Sequence, residues 1–105
     1  MTDLDFDLTA SRDDQGCSRL TLRGELDLGT APQLEQALAD ANGDVLLDLS
    51  GLTFMDSTGV RVLLEAAEHR AGRLRIVPPP NGDARVTIEE TGIAPLLPLV
   101  EDDRA

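Results

Sequence analysis

The sequence predicts a single α/β domain over residues 1–105: a mixed sheet of about four to five strands with flanking helices. Three observations predict it. Apolar residues alternate with polar ones near the start of the chain. Two later stretches carry apolar residues at helical spacing. Short apolar runs separate those stretches, giving the order strand, helix, strand, helix, strand. A chain of 105 residues with 41% hydrophobic side chains suffices for one modest core. With two Phe and no Trp or Tyr, that core must be built of Leu, Val, Ile and Ala.

Leu4, Phe6, Leu8 and Ala10 alternate with polar neighbours, as in a half-buried strand. "SRDDQG" reads as a turn, and Leu20, Leu22, Gly24 and Leu26 resume the alternation, so the pair forms a hairpin. "LGTAP" breaks it. Thr30 and Gln33 have the spacing of a capping box, and Pro32 suits a first helical turn. Leu34, Ala37, Leu38 and Ala41 form the stripe of an amphipathic helix that stops at Asn42-Gly43. "DVLLDLS" is too short for a helix and too apolar for an edge, hence a buried strand. A second helix starts at about Ser57, with Val60, Leu63, Leu64 and Ala67 on one stripe, and ends before Gly72. "RLRIV" is a further strand, "PPPNG" a turn, and residues 83–91 a short helix ended by Gly92. "LLPLV" is read as a last short strand, and "EDDRA", residues 101–105, as a frayed tail.

Twenty acidic against nine basic side chains give a formal charge of −11. Such a chain is repelled by phosphate backbones and anionic lipid, so neither nucleic acid nor membrane is expected as a partner; a protein with a basic face is. Cys17, the single cysteine, cannot pair internally and fits a reducing compartment. "MTDLDFDLT" lacks the pattern of a signal peptide, and no apolar run approaches spanning length, so a cytoplasmic protein is expected.

If residues 17–26 and 45–50 are parallel strands, Asp27 and Asp56 follow strand ends at one edge of the sheet. Open α/β sheets place their sites at that edge. Asp56 is followed by Ser57, Thr58 and Gly59. The local reading of the hydroxyls is helix capping, worth about 1 kcal/mol. Capping does not explain three capping-competent residues in a row, nor a Gly that costs a first turn up to about 1 kcal/mol. A Gly there would let another molecule approach the hydroxyls.

Catalytic readings fail on spacing. "DSTG" places its acid three residues before Gly, where aspartic proteases place it two before. "DFDLT" has the D-x-D-x-T of aspartyl-phosphate phosphatases without the apolar strand before it; Asp5, Asp7 and Thr9 simply alternate on one strand face. His69, the only histidine, lies about 18 Å along the helix from Ser57 at 1.5 Å per residue, too far for a hydrolase dyad. It reads as a helix C-terminal His favoured by the dipole. One Cys and one His make no zinc site, and there is no phosphate-binding loop. No enzyme activity, metal or cofactor is expected.

"LRGELDLGTAPQLEQAL" followed by "VLLDLSGLTFMDSTGVRVLL" resembles the STAS domain (sulfate transporter and anti-sigma factor antagonist), and in particular the stand-alone bacterial anti-sigma factor antagonists. The resemblance runs from about Leu20 to Val100, through "GRLRIVPPP" and "ETGIAPLLPLV". It rests on the paired signature G-E-L-D before the first helix and D-S-T-G opening the second. It implies that Ser57 is a phosphoacceptor, modified with ATP and Mg²⁺ by an anti-sigma factor that is also a serine kinase, and restored by a metal-dependent serine phosphatase. It further implies that Asp27, Asp56, Thr58 and Gly59 meet the partner. Family members commonly carry Gly-Leu-Gly or Gly-Leu-Arg after the hydroxyls, where this chain has Gly59-Val60-Arg61. The rival implication is a STAS subunit of a lipid-transport or stressosome-type complex, with Ser57 as a cap only.

Overall fold

The computed structural model describes residues 6–100. Leu4, Asp5 and the "EDDRA" tail lie outside the described residues. The elements in chain order are β1 (Phe6–Arg12), β2 (Ser18–Leu26), α1 (Ala31–Asp40), β3 (Val45–Met55), α2 (Ser57–His69), β4 (Leu74–Val77) and α3 (Gly82–Glu90). A 3-10 turn, Ala94–Leu96, follows.

The four strands lie side by side in sequence order, β1-β2-β3-β4. β1 is antiparallel to β2, as the hairpin reading requires, while β2, β3 and β4 are parallel. The sheet is therefore mixed. One face carries Leu20, Leu22 and Leu26 of β2, Val45, Leu47 and Leu49 of β3, and Leu74 and Ile76 of β4, all buried. These pack in one cluster with Leu34 and Leu38 of α1, Val62, Leu63 and Ala66 of α2, and Ala84 and Ile88 of α3. At about 1.5–3 kcal/mol for each fully buried side chain, this cluster is the principal driving force of the fold.

On the opposite face Arg19 Nη2 lies 2.6 Å from Asp48 Oδ2. Burial alone would push the Asp48 carboxyl up. Hydrogen bonds from the Ser50 N–H and hydroxyl, and the Arg19 guanidinium, outweigh it and hold the group below the usual carboxylate range.

The expected fifth strand is reduced to a single parallel bridge, Ile76 to Leu99. Ile76 N–H donates to the Pro98 carbonyl and Val100 N–H donates to the Ile76 carbonyl. Pro95 and Pro98 have no N–H to extend the ladder. β3 is also longer than expected, running five residues past Ser50 to Met55. It gains that length through two irregularities against β2, between Thr21 and Arg23 and between Gly24 and Glu25. Gly24 takes φ +98° at the second of these, a left-handed conformation that a side chain would strain, and the Thr53 hydroxyl donates to its carbonyl at 3.1 Å.

Candidate functional site

The parallel register ends on the pair Leu26 and Met55, and Asp56 N–H donates to the Leu26 carbonyl at 3.2 Å. Asp27 and Asp56 therefore leave neighbouring strands side by side, at the sheet edge where sequence order places them.

Asp56 is the N-cap of α2. Its Oδ1 accepts the N–H groups of Thr58 at 2.9 Å and Gly59 at 3.2 Å, with an extended backbone of φ −106°, ψ −170°. The capping reading of Ser57 and Thr58 is thereby corrected: the acid takes the task, and Ser57 becomes the first helical residue. Ser57 is exposed, and among the described residues its hydroxyl makes no hydrogen bond. Thr58 is half-buried beside it. Met55 is tied from behind as well, since the Thr87 hydroxyl of α3 donates to its carbonyl at 3.1 Å.

Gly59 faces inward and is buried. A Cβ built on it would stand 2.5 Å from Met55 Cγ and 3.1 Å from two carbons of Leu26. Its missing side chain lets α2 close onto the ends of β2 and β3. That is a structural role for the glycine, beside the approach to the hydroxyls expected of it.

The β2–α1 junction is built differently. Asp27 Oδ1 accepts from Gly29 N–H at 3.0 Å, Thr30 N–H at 3.1 Å and the Thr30 hydroxyl at 3.2 Å. The Thr30 oxygen in turn accepts Asp27 N–H at 2.9 Å, and its hydroxyl reaches the Glu25 carbonyl at 2.8 Å. The expected capping box fails for that reason. Thr30 sits in the helical region, φ −105° and ψ −19°, with no side-chain cap bond, because its oxygen is spent on the turn before it. Asp27 thus holds a loop together, a role the sequence reading missed. The Asp-x-x-Thr spacing in "DLGT" was the available signal.

Leu28 and Phe54 stand exposed at this edge, at 74% and 38%. Phe54 pairs in register with Glu25, two residues before Asp27. The apolar stripe of α2 packs on the core at two depths. α2 buries Gly59, Val62, Leu63 and Ala66, which leaves Val60, Leu64 and Ala67 only half-buried on its flank. Among the described residues no group of three or more His, Cys, Asp or Glu is placed to hold a metal ion, and no helix is long and apolar enough to cross a membrane. His69 lies in the last turn of α2, at the far end from Ser57.

Comparison with known proteins agrees with this geometry. The family model described as "Mlab, STAS domain" matches residues 9–98. The anti-sigma-F factor antagonist RsfB of Mycobacterium tuberculosis is 35% identical over 60 residues, which is 53% of this chain and 49% of that protein. The chain thus spans about half the length of the curated relatives it matches. The crystal structure of an anti-sigma factor antagonist from Mycobacterium paratuberculosis superposes with a TM-score of 0.74 at 31% identity, covering 90% of this chain and 84% of that one. The unphosphorylated form of the anti-sigma factor antagonist SpoIIAA shares the fold, with a TM-score of 0.67 at 24% identity over 93% and 90% of the two chains. By its family model, its structural relative and its strand-edge architecture, the chain belongs to the STAS domain family.

Proposed function

We propose that the chain is an anti-sigma factor antagonist, acting in the cytoplasm without enzymatic activity of its own. With Ser57 unmodified it binds a kinase-type anti-sigma factor at the β–α edge and frees the sigma factor. The partner then transfers the γ-phosphoryl group of ATP to Ser57 Oγ, releasing ADP and the hydroxyl proton, and the complex parts. A metal-dependent serine phosphatase restores the hydroxyl.

The observation that carries this reading is the division of labour at the α2 start: Asp56 caps the helix, so the Ser57 hydroxyl is exposed and uncommitted. A phosphate there adds close to two negative charges. The helix N-terminus tolerates them, because first-turn N–H groups and the dipole favour anions. A partner surface fitted to a neutral hydroxyl does not. Charge on Ser57 therefore spoils the interface and spares the fold.

Intact-mass spectrometry after incubation with purified kinase-type anti-sigma factors and ATP tests this. One added phosphate is expected, mapped to Ser57; a phosphate on Thr58 in a Ser57-intact chain overturns the assignment. Ser57→Asp is expected to bind at least tenfold more weakly than the parent, about 1.4 kcal/mol, with unchanged circular dichroism. Because an Asn keeps an acceptor oxygen for Gly29 and Thr30, Asp27→Asn tests charge alone; slower phosphorylation at unchanged melting is expected.

The second reading, a STAS subunit held permanently in a lipid-transport or stressosome-type complex, is favoured by the half-buried apolar flank of α2, since obligate interfaces are the more hydrophobic ones. Co-purification of a transporter ATPase complex, with Ser57 unmodified throughout, would establish it instead.

A further inference from the structure

Asp56 occupies part of the anion-binding capacity at the start of α2. Its Oδ1 already accepts the N–H groups of Thr58 and Gly59, so neither is left for a phosphate on Ser57. Carboxylates also gather around that hydroxyl. Asp27 and Asp56 stand at the same strand edge, and Glu35 of α1 and Glu65 of α2 both reach to Arg61. A dianion placed there needs a cation of its own. Arg61 is the one basic residue in the first two turns of α2, and it lines the same open groove as Ser57. It stands four positions after Ser57, where helix Cβ atoms are about 5–6 Å apart, and long helical side chains lean back toward the N-terminus. Its present partners hold it loosely. The Arg61 side chain is 53% exposed, with Glu65 Oε1 at 3.1 Å and Glu35 Oε2 at 3.7 Å, and exposed pairs of this kind contribute little.

We propose that Arg61 is the internal clamp of phosphorylated Ser57: its guanidinium leaves Glu35, swings back one turn and pairs with the phosphate. The inference rests on Ser57 being the phosphoacceptor, as proposed above, and adds the positioning residue that receives the modification. The exchange runs in this direction because the two acceptors differ. A phosphate carries close to two charges and three acceptor oxygens that suit the guanidinium fork, whereas Glu35 offers one charge at a long contact. Two consequences follow from the exchange. The phosphate is held as a dianion against the carboxylates around it. Glu35 loses its cation at the same moment, so a change at the start of α2 also uncovers an acid on α1. A Gly at position 61, as in the Gly-Leu-Gly pattern, would supply no clamp.

The test installs phosphoserine at position 57 during translation, so its result does not depend on any kinase; the intact-mass experiment decides the acceptor role separately. Phosphorus nuclear magnetic resonance titrates the phosphate in the parent, Arg61→Gln, Arg61→Lys and Arg12→Gln. Arg12 is an exposed arginine at the far end of the sheet, where β1 meets the start of β2. Asp27, Asp56, Glu35 and Glu65 push the second phosphate pKa up from its ordinary value of about 6 wherever Arg61 does not oppose them. Arg61→Gln is therefore expected to titrate about 0.5 unit above the parent, with Arg12→Gln within about 0.1 unit of it. Arg61→Lys, which keeps the charge, is expected to recover at least half of the difference. Carbon resonances of the side-chain carboxyls give a second readout: phosphorylation of the parent is expected to move Glu35 to where unmodified Arg61→Gln places it. Equal values in the parent and Arg61→Gln overturn the clamp, even where Ser57 proves to be the acceptor. A shift in Arg12→Gln as large as that in Arg61→Gln makes Arg61 one charge among many and overturns it too. So does a Glu35 resonance that ignores the phosphate, since Arg61 has then not left α1.

Discussion

At the β2–α1 junction the Thr30 hydroxyl is turned inward and consumed, whereas at the β3–α2 junction the Ser57 hydroxyl faces solvent, although both junctions open on an aspartate at the same strand edge. Both acids accept two backbone N–H groups through Oδ1. The difference lies in spacing. With two residues between Asp27 and Thr30 the chain folds back, and acid and hydroxyl close into one network. With none between Asp56 and Ser57 the hydroxyl starts a helix instead. One junction is a finished piece of structure, and the other holds a group in reserve. A polar side chain at a sheet edge is therefore no sign of function until its partners have been traced.

The comparison breaks most visibly at the glycines. Gly59→Ala forces a Cβ to 2.5 Å from Met55 Cγ, and should cost about 1–3 kcal/mol despite the better helix propensity of Ala. Gly29→Ala meets only Asp27 Oδ1 at 3.5 Å, an ordinary contact, and should stay within about 0.5 kcal/mol. Urea denaturation of the two variants gives the contrast; equal losses would mean that the closure of α2 onto β2 and β3 does not need Gly59.

Hydroxyl deletion comes next. Thr30→Val leaves the Asp27 N–H and the Glu25 carbonyl without their partner, at about 1–2 kcal/mol. Ser57→Ala removes a group that bonds nothing within the described chain and should cost under about 0.5 kcal/mol. If the order of the two is reversed, Ser57 is a structural residue and the contrast between the junctions disappears.

Asp56→Ala should cost about 1 kcal/mol by removing the α2 cap, with the loss seen as faster amide exchange at Thr58 and Gly59. Asp48 offers the same contrast as a function of pH. Its carboxyl is held below the ordinary value of 3.8, so its stabilisation is present above that value and disappears as pH falls through the lower folded one. Asp48→Asn should therefore be about 1 kcal/mol less stable than the parent at pH 7, because Arg19 loses the negative charge of its partner, and the gap should narrow below about pH 4. A gap unchanged at pH 3 would show that the Asp48 charge plays no part.

The order of elements along the chain, the hairpin, both long helices and the shared edge of Asp27 and Asp56 were legible because they follow from periodicity and chain order. The cap was not. Asp, Ser and Thr in a row are all competent, and only the extended backbone of Asp56 decides among them. Which part of the α2 stripe is fully buried was not legible for a related reason. Val60, Leu63, Leu64 and Ala67 fit helical spacing as well as Val62, Leu63 and Ala66 do, and sequence periodicity cannot divide an arc that broad. The role of Gly59 was hidden because its neighbours, Leu26 and Met55, come from other elements. The proline-bounded end of the chain was overread, since an apolar run signals burial but not the N–H groups that a strand needs.

Arg70, the C-cap residue of α2, donates from its guanidinium to the carbonyls of Leu38 and Ala41 at 2.7 Å and of Gly43 at 3.1 Å. The first two are end-of-helix acceptors of α1 and the third lies in the turn after it, and all are reached by a side chain 27 to 32 positions further along the chain. On a ribosome, at about 5–20 residues per second, α1 emerges with that end open and waits roughly 1–6 s for the arginine that closes it. Until then those carbonyls lack their side-chain donor. The start of α2, with Ser57, is made before Arg70, so the acceptor hydroxyl exists in a nascent chain whose helix pair is not yet locked.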